Sequence, residues 1–233
     1  MQHEITQAIP LLDEQGELTQ PGWARRLLPV YDRSRVRGGP LRLKERDCYL
    51  VMNRQCALAL TISDNRYMGM DSISLIDLWE GWQVTRSPMR LMPLGGTGLP
   101  QSSLRGSCAR AGRGYGLLFQ HEGEGRTLHA HMDRFRDGQA LDAQILLTQE
   151  PEESIVMCTP FEKPGQFYFN QKINCMRAQG KVTLGDREYV FDPEDSFAVL
   201  DWGRGVWTCR GTWYWGSASG MVDGVPFGFN IGY

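Results

Sequence analysis

The sequence predicts an all-β protein of antiparallel strands, closed as a barrel or stacked as a sandwich. Three observations predict it. Apolar residues alternate with polar ones in many short runs, the period of a strand with one buried face. Gly, Pro, Asn and Asp punctuate these runs at fairly regular spacing. Few stretches carry apolar residues at i, i+3, i+4 and i+7, and none makes a convincing long helix.

The elements follow in order. Residues 1–40 read as mostly irregular, broken by Pro21-Gly22 and Gly38-Gly39-Pro40, with Trp23, Leu27 and Leu28 anchoring the segment on the core. Residues 48–52 form a short apolar run, and Asn53-Arg54-Gln55 interrupts it. Cys56, Leu58, Leu60 and Ile62 then share one face of an alternating strand that ends at Asp64-Asn65. Residues 73–79 and 82–86 read as strands around Glu80-Gly81. The Gly- and Ser-rich stretch 93–114 reads as a long loop, and such a loop in a compact domain is usually functional or mobile. Residues 115–121 and 126–133 form a hairpin across 122–125. Leu141, Ala143, Ile145 and Leu147 alternate in the next strand, residues 155–158 follow, and Pro160 and Pro164 break the chain. Residues 167–175 form a strand or strand pair. Two hairpins have two-residue turns. Gly185-Asp186 sets Val182 opposite Tyr189, and Asp223-Gly224 sets Ser217 opposite Asn230.

The bulk properties set limits. With 233 residues, 41% of them hydrophobic, the chain is large enough to bury a proper core. A net charge of −2 leaves no electrostatic footprint for nucleic acid or anionic lipid, so neither is an expected partner. The start, Met1-Gln2-His3-Glu4-Ile5-Thr6, lacks the basic and apolar regions of a secretory signal, and no stretch reaches the roughly 20 apolar residues of a membrane span. A cytoplasmic protein is therefore expected. Six cysteines (Cys48, Cys56, Cys108, Cys158, Cys175, Cys209) lie far apart without a CxxC pair, which favours reduced thiols over disulfides or a zinc site. There is no nucleophile elbow, P-loop, dinucleotide fingerprint or metalloprotease motif, and no cofactor or metal is expected.

Four constellations carry chemistry. Asp201-Trp202-Gly203-Arg204-Gly205-Val206-Trp207 follows an apolar run. It reads either as a carboxylate and guanidinium at a pocket mouth, with Arg204 setting the charge state of Asp201, or as a structural corner with Arg204 as a plug. Trp213, Trp215, Ser217 and Ser219 share a strand face, with Asn230 opposite Ser217. Such a face either lines a cavity or is wet. Tyr168, Asn170 and Lys172 share a face, where Lys172 is a candidate base or anion anchor, though any half-exposed strand has the same pattern. His129, His131 and Asp133 share a face too. Two ligands of a metal site could sit there, but His121 falls on the opposite face and no third histidine converges.

These motifs carry a family resemblance. Tyr168-Phe169-Asn170-Gln171-Lys172, the run from Phe197 to Trp207, Trp213-Tyr214-Trp215-Gly216-Ser217-Ala218-Ser219-Gly220 and Gly228-Phe229-Asn230-Ile231-Gly232-Tyr233 resemble domain of unknown function 2804, with Asp201-Trp202-Gly203-Arg204-Gly205 the specific part. Gly22-Trp23-Ala24-Arg25-Arg26 and Leu43-Lys44-Glu45 are similar to its N-terminal pattern. The resemblance implies a bacterial-type protein without a signal sequence. More distantly the chain resembles the paired lipocalin-like barrels of the carotenoid hydratase group, in which ligands sit in or between barrels. That implies lipocalin-like β halves: an irregular segment 1–40, a first β domain 41–155 and a second 156–233. Members of the family continue past the Asn230-Ile231-Gly232-Tyr233 position, so the second half is expected to be incomplete.

Three functions follow as expectations. One is binding of a small, partly apolar ligand, with Trp202, Trp207, Trp213 and Trp215 as the wall and Lys172, Asn170, Ser217, Asn230 and Arg204 as polar anchors. A second is a hydratase, isomerase or hydrolase with Asp201 as acid or base beside Arg204. The third is an interaction protein with an aromatic contact face.

Overall fold

The computed structural model describes residues 3–208 and 211–232. In chain order its strands are β1 (Ile9–Pro10), β2 (Gly22–Ala24), β3 (Pro29–Val30), β4 (Lys44–Met52), β5 (Cys56–Asp64), β6 (Met68–Asp77), β7 (Trp82–Arg86), β8 (Met89–Leu91), β9 (Gly106–Gly112), β10 (Tyr115–His121), β11 (Arg126–Arg136), β12 (Gln139–Thr148), β13 (Ile155–Pro160), β14 (Phe167–Leu184), β15 (Arg187–Phe191), β16 (Phe197–Val206), β17 (Trp215–Val222) and β18 (Val225–Gly232). A single 3-10 turn, Arg33–Arg35, is the sole helical element among the described residues.

The protein is all-β, with one large antiparallel sheet whose main path runs β7-β6-β5-β4-β16-β14-β12-β11-β10-β9. The 18-residue β14 is its spine. One edge of β14 pairs first with β13 and then with β12, and the other first with β16 and then with β15. Residues on either side of 155/156 thus belong to a continuous sheet, and β4 pairs with β16 from the far end of the chain. The hairpin β17–β18 forms a separate two-stranded sheet.

The main sheet folds back on itself around a common core. Tyr49 of β4 meets Phe119 of β10 edge to face at 5.0 Å. Tyr115 donates from its hydroxyl to Asp71 of β6 at 2.9 Å, and Arg86 of β7 donates to the carbonyl of Phe135 on β11 at 2.9 Å. Leu58, Leu60, Ile62, Ile73 and Leu75 from one wall and Leu128, Leu141, Ile145 and Leu147 from the other are buried together. This is the alternation read from the sequence, with the apolar set of each strand turned inward.

The expected hairpins form in the expected registers: Val182 faces Tyr189, Ser217 faces Asn230, and β10 pairs with β11. One expectation needs correction. The stretch 93–114 is not one long loop, because residues 106–112 form edge strand β9. Its Ser, Cys and Ala have weak strand preference, and seven pairs with β10 outweigh it. Residues 3–40 are mostly irregular, with three short strands of two or three residues each. One of them, β2, extends the sheet by pairing with β13. No helix among the described residues is long and apolar enough to cross a membrane.

Gly180 sits on β14 between Ile145 and Phe191, just past the point where the partners change. Its φ is +138°, and an added Cβ would lie 2.0 Å from the carbonyl oxygen of Gln144. Gly180→Ala is expected to lower stability by about 2–4 kcal/mol. Urea unfolding checks this, and a change within measurement error would refute it.

Candidate functional site

Every residue of β16 is buried, so both of its faces are covered. Leu200, Trp202, Arg204 and Val206 face the core. Val199, Asp201, Gly203 and Gly205 point the other way, as alternation requires. Register then builds three rows on this second face: Lys172, Asp201 and Cys48; Asn170, Gly203 and Arg46; Tyr168, Gly205 and Lys44. Three cations and one carboxylate are thereby gathered on it.

Asp201 is 3% exposed. One carboxylate oxygen accepts from Lys172 Nζ and the other from Arg46 Nη2. Among the described residues the buried Nε of Arg46 has no hydrogen-bond partner, nor has Oδ1 of Asn170. The Tyr168 ring lies against Gly203, where a methyl group would stand 3.0 Å from it. Burial, reinforced by the Asp201 charge, pushes the Tyr168 hydroxyl up to about 12. Burial likewise raises the Cys48 thiol, so it is a poor nucleophile.

Aromatic rings cover this cluster. Trp207 and Trp213 meet Tyr168 edge-on at 5.1 and 5.5 Å. Lys172 Nζ lies 4.9 Å from the Trp215 ring centre, and Lys44 Nζ 5.5 Å from that of Trp207. The indole N–H of Trp207 is buried, with no hydrogen-bond partner among the described residues.

The hairpin carrying Trp215 is fastened at a bulge in β14. Between Ile173 and Met176 the register with β16 slips by one residue, and Cys175 adopts φ +60°. Asn174 Nδ2 donates to Ser217 Oγ at 2.8 Å and to the carbonyl of Ala218 at 3.0 Å. The Cys175 amide donates to Ser219 Oγ at 3.1 Å. Asn230 donates to Asn174 Oδ1 and accepts from the Trp215 indole at 3.1 Å. The polar atoms of Ser217 and Asn230 are therefore engaged in holding the hairpin and orienting Trp215.

The strand does not bring Asp201 and Arg204 together. They are three apart in a strand and emerge on opposite faces, so Lys172 and Arg46, not Arg204, set the surroundings of the carboxylate. Arg204 is fully buried in the core face. It donates to Asp47 at 2.7 Å and to the carbonyls of Pro100 and Arg46 at 2.7 and 3.0 Å, and it stacks 4.2 Å from the Trp202 ring centre. Trp202 also faces the core, edge-on to Phe169 at 5.3 Å, and does not join the other three indoles. A void of about 20 Å³ beside it has room for a single water.

Sequence reasoning missed Lys44, Arg46, Cys48 and Asn174. The first three belong to a strand 150 residues away. Asn174 did leave a signal: inward residues of β14 are odd-numbered through Ile173 and even-numbered from Met176 onward, and that change of phase marks the bulge.

His131 lies on the outer face of β11, bonded to Asp142 at 2.8 Å and to Asp133 at 3.0 Å. Among the described residues no group of three or more His, Cys, Asp or Glu is placed to hold a metal ion. The hydrogen bond to Asp142, outweighing partial burial, raises the His131 pKa.

The fold and this face define an all-β protein with a cation-rich strand surface roofed by tryptophans. The chain belongs to the DUF2804 family, a domain of unknown function, whose model matches residues 2–233. No curated protein matches it. Among solved structures it is similar to a Nitrosomonas europaea protein provisionally assigned as AttH, at 11% identity and a TM-score of 0.47. The match covers 80% of this chain and 59% of that one, so this chain spans about three fifths of its length.

Two outcomes follow from this geometry. Asn174→Ala should raise amide hydrogen exchange in the 215–232 hairpin about tenfold or more while β14 and β16 stay protected, since about 1.4 kcal/mol of lost anchoring corresponds to tenfold opening. Exchange mass spectrometry reads this, and unchanged hairpin protection would contradict the anchoring role. For His131, NMR titration should give a pKa above the ordinary 6.5, and Asp142→Asn should lower it. The sign for stability follows: the contribution of the pair is fully present below the unfolded-chain value and is lost as pH rises through the raised folded value.

Proposed function

We propose that the face formed by Asp201, Lys172 and Arg46 under Trp207, Trp213 and Trp215 binds a small, partly apolar molecule. The observation that carries this reading is the pairing of indole rings with unused polar atoms: Arg46 Nε, Asn170 Oδ1 and Trp207 Nε1 are all buried and have no partner among the described residues. Native structures leave few such atoms, so those gathered on one face call for a partner. Trp213 is 57% and Trp215 38% exposed, so the aromatic roof can be reached from solvent. The apolar part of a ligand would lie against these rings and its polar end against Lys172 and Arg46. An acid–base role for Asp201 has less support, because both its oxygens are engaged by cations and Arg204 lies on the other face.

One observation favours a second reading, that of an interaction protein. Phe227, Phe229 and Ile231 on the hairpin are 56%, 44% and 64% exposed, an apolar surface suited to a protein contact.

The two separate in a titration with 8-anilinonaphthalene-1-sulfonate, read by quenching of tryptophan emission. The ligand reading expects saturable quenching that weakens about five- to tenfold in Lys172→Met and in Trp215→Ala, both still folded by circular dichroism, with the melting temperature lowered in Lys172→Met because Asp201 loses one of its two buried partners. Quenching unaffected by Lys172→Met but lost in Phe227→Ser with Ile231→Ser would favour the contact surface and overturn the ligand site.

A further inference from the structure

A second candidate site lies on the other side of β4, where Glu45 faces away from Lys44 and Arg46. Arg33, Arg37 and Arg66 line an open cleft of about 550 Å³ there, together with Val36, Pro40 and Leu94. Its volume is in the range of pockets that hold small molecules.

The charges at this cleft do not balance. Glu45, the acid bonded to the lining Arg33, is 1% exposed and already saturated. Its oxygens accept from Arg33 Nε at 2.9 and 3.1 Å and from the Tyr31 hydroxyl at 3.2 Å. They also stand 3.8 Å from Arg66 Nη2 and 3.6 Å from the buried Arg204 Nε. Each arginine keeps donors in reserve. Arg33 uses Nη2 on the carbonyl of Leu99, and its Nη1 has no bond among the described residues. Arg66 uses Nη1 on the carbonyl of Leu94 and holds Nη2 beyond hydrogen-bond length from Glu45. Arg37 lays its aliphatic stem against Gly16, and its guanidinium has no partner among the described residues. Arg66 is placed for this by Gly95, where a side chain would collide with its guanidinium. Asp64 in turn holds that loop by accepting from the Gly95 amide at 3.0 Å and the Thr97 hydroxyl at 2.7 Å.

Three guanidinium groups with free donors match the planar, two-pronged recognition of an oxyanion, and Val36, Pro40 and Leu94 offer an apolar contact beside it. We propose that this cleft binds a small molecule carrying a phosphate or carboxylate on an apolar group.

The test is isothermal titration calorimetry on the full chain in a phosphate-free buffer, with phenyl phosphate, benzoate, inorganic phosphate and benzyl alcohol as probes. Phenyl phosphate or benzoate is expected to bind at least fivefold more tightly than inorganic phosphate, with no detectable binding of benzyl alcohol. Raising the salt concentration should weaken it. Arg37→Gln, an exposed substitution with no internal bond to lose, should weaken binding about tenfold without changing the melting temperature. Lys181→Gln, an exposed substitution outside the cleft lining, should leave it unchanged. Absence of binding by both aryl anions overturns the proposal, as does equal affinity in wild type and Arg37→Gln. Inorganic phosphate binding as tightly as phenyl phosphate, or benzyl alcohol as tightly as either, also overturns the stated ligand class. Loss of binding in Lys172→Met with Arg37→Gln unaffected would move the anion to the tryptophan-roofed face and remove this one.

Discussion

The hydrogen-bond register between β14 and β16 is the constraint from which the rest of the molecule follows. It sets Lys172 opposite Asp201, Asn170 opposite Gly203 and Tyr168 opposite Gly205. The matching register between β16 and β4 then delivers Cys48, Arg46 and Lys44 to the same rows. A slip of one residue would send Asp201 into the core and bring Leu200 out, which the burial of both faces forbids. β14 can serve four partner strands because it is long and because a bulge at Asn174 and Cys175 shifts its phase midway. The bulge also supplies the side chain and amide that fasten the tryptophan hairpin.

The two faces of these strands solve different electrostatic problems. On the core face, Arg204, Glu45 and Asp47 are buried charges whose desolvation is offset by mutual pairing and by backbone carbonyls. Removing one member would leave its partner charged and alone, which costs more than the pair itself contributes. On the second face, Asp201 bonds two of three cations, and the excess positive charge is met by indole rings rather than by acids. A quadrupole is a weaker partner than a carboxylate, and this leaves the face receptive. The same logic applies at the arginine cleft, where Glu45 is shared among more guanidinium groups than it can bond.

The hairpin β17–β18 is the least embedded part of the described chain. It has its own two-stranded sheet, it is mostly exposed, and its polar anchors converge on a single bulge. A two-stranded hairpin is marginal alone. Its hold on the sheet therefore depends on Asn174, Ser217, Ser219 and Asn230, and those residues decide how firmly Trp215 sits over Lys172.

Much of the architecture was legible in the residue order because it rests on local physics. Alternation separated core from surface on each strand, and the turns Gly185-Asp186 and Asp223-Gly224 determined their hairpin registers through backbone conformation alone. The aromatic and charged composition of the region after Phe197 also marked it as the place to look for a site. What tertiary structure decided is which distant strands meet. Pairing between strands far apart in the chain is selected by the sum of many side-chain contacts, which no single segment encodes. For that reason Arg46 and Lys172 came to flank Asp201, while Arg204, its neighbour in sequence, was carried to the opposite face by the two-residue period of the strand.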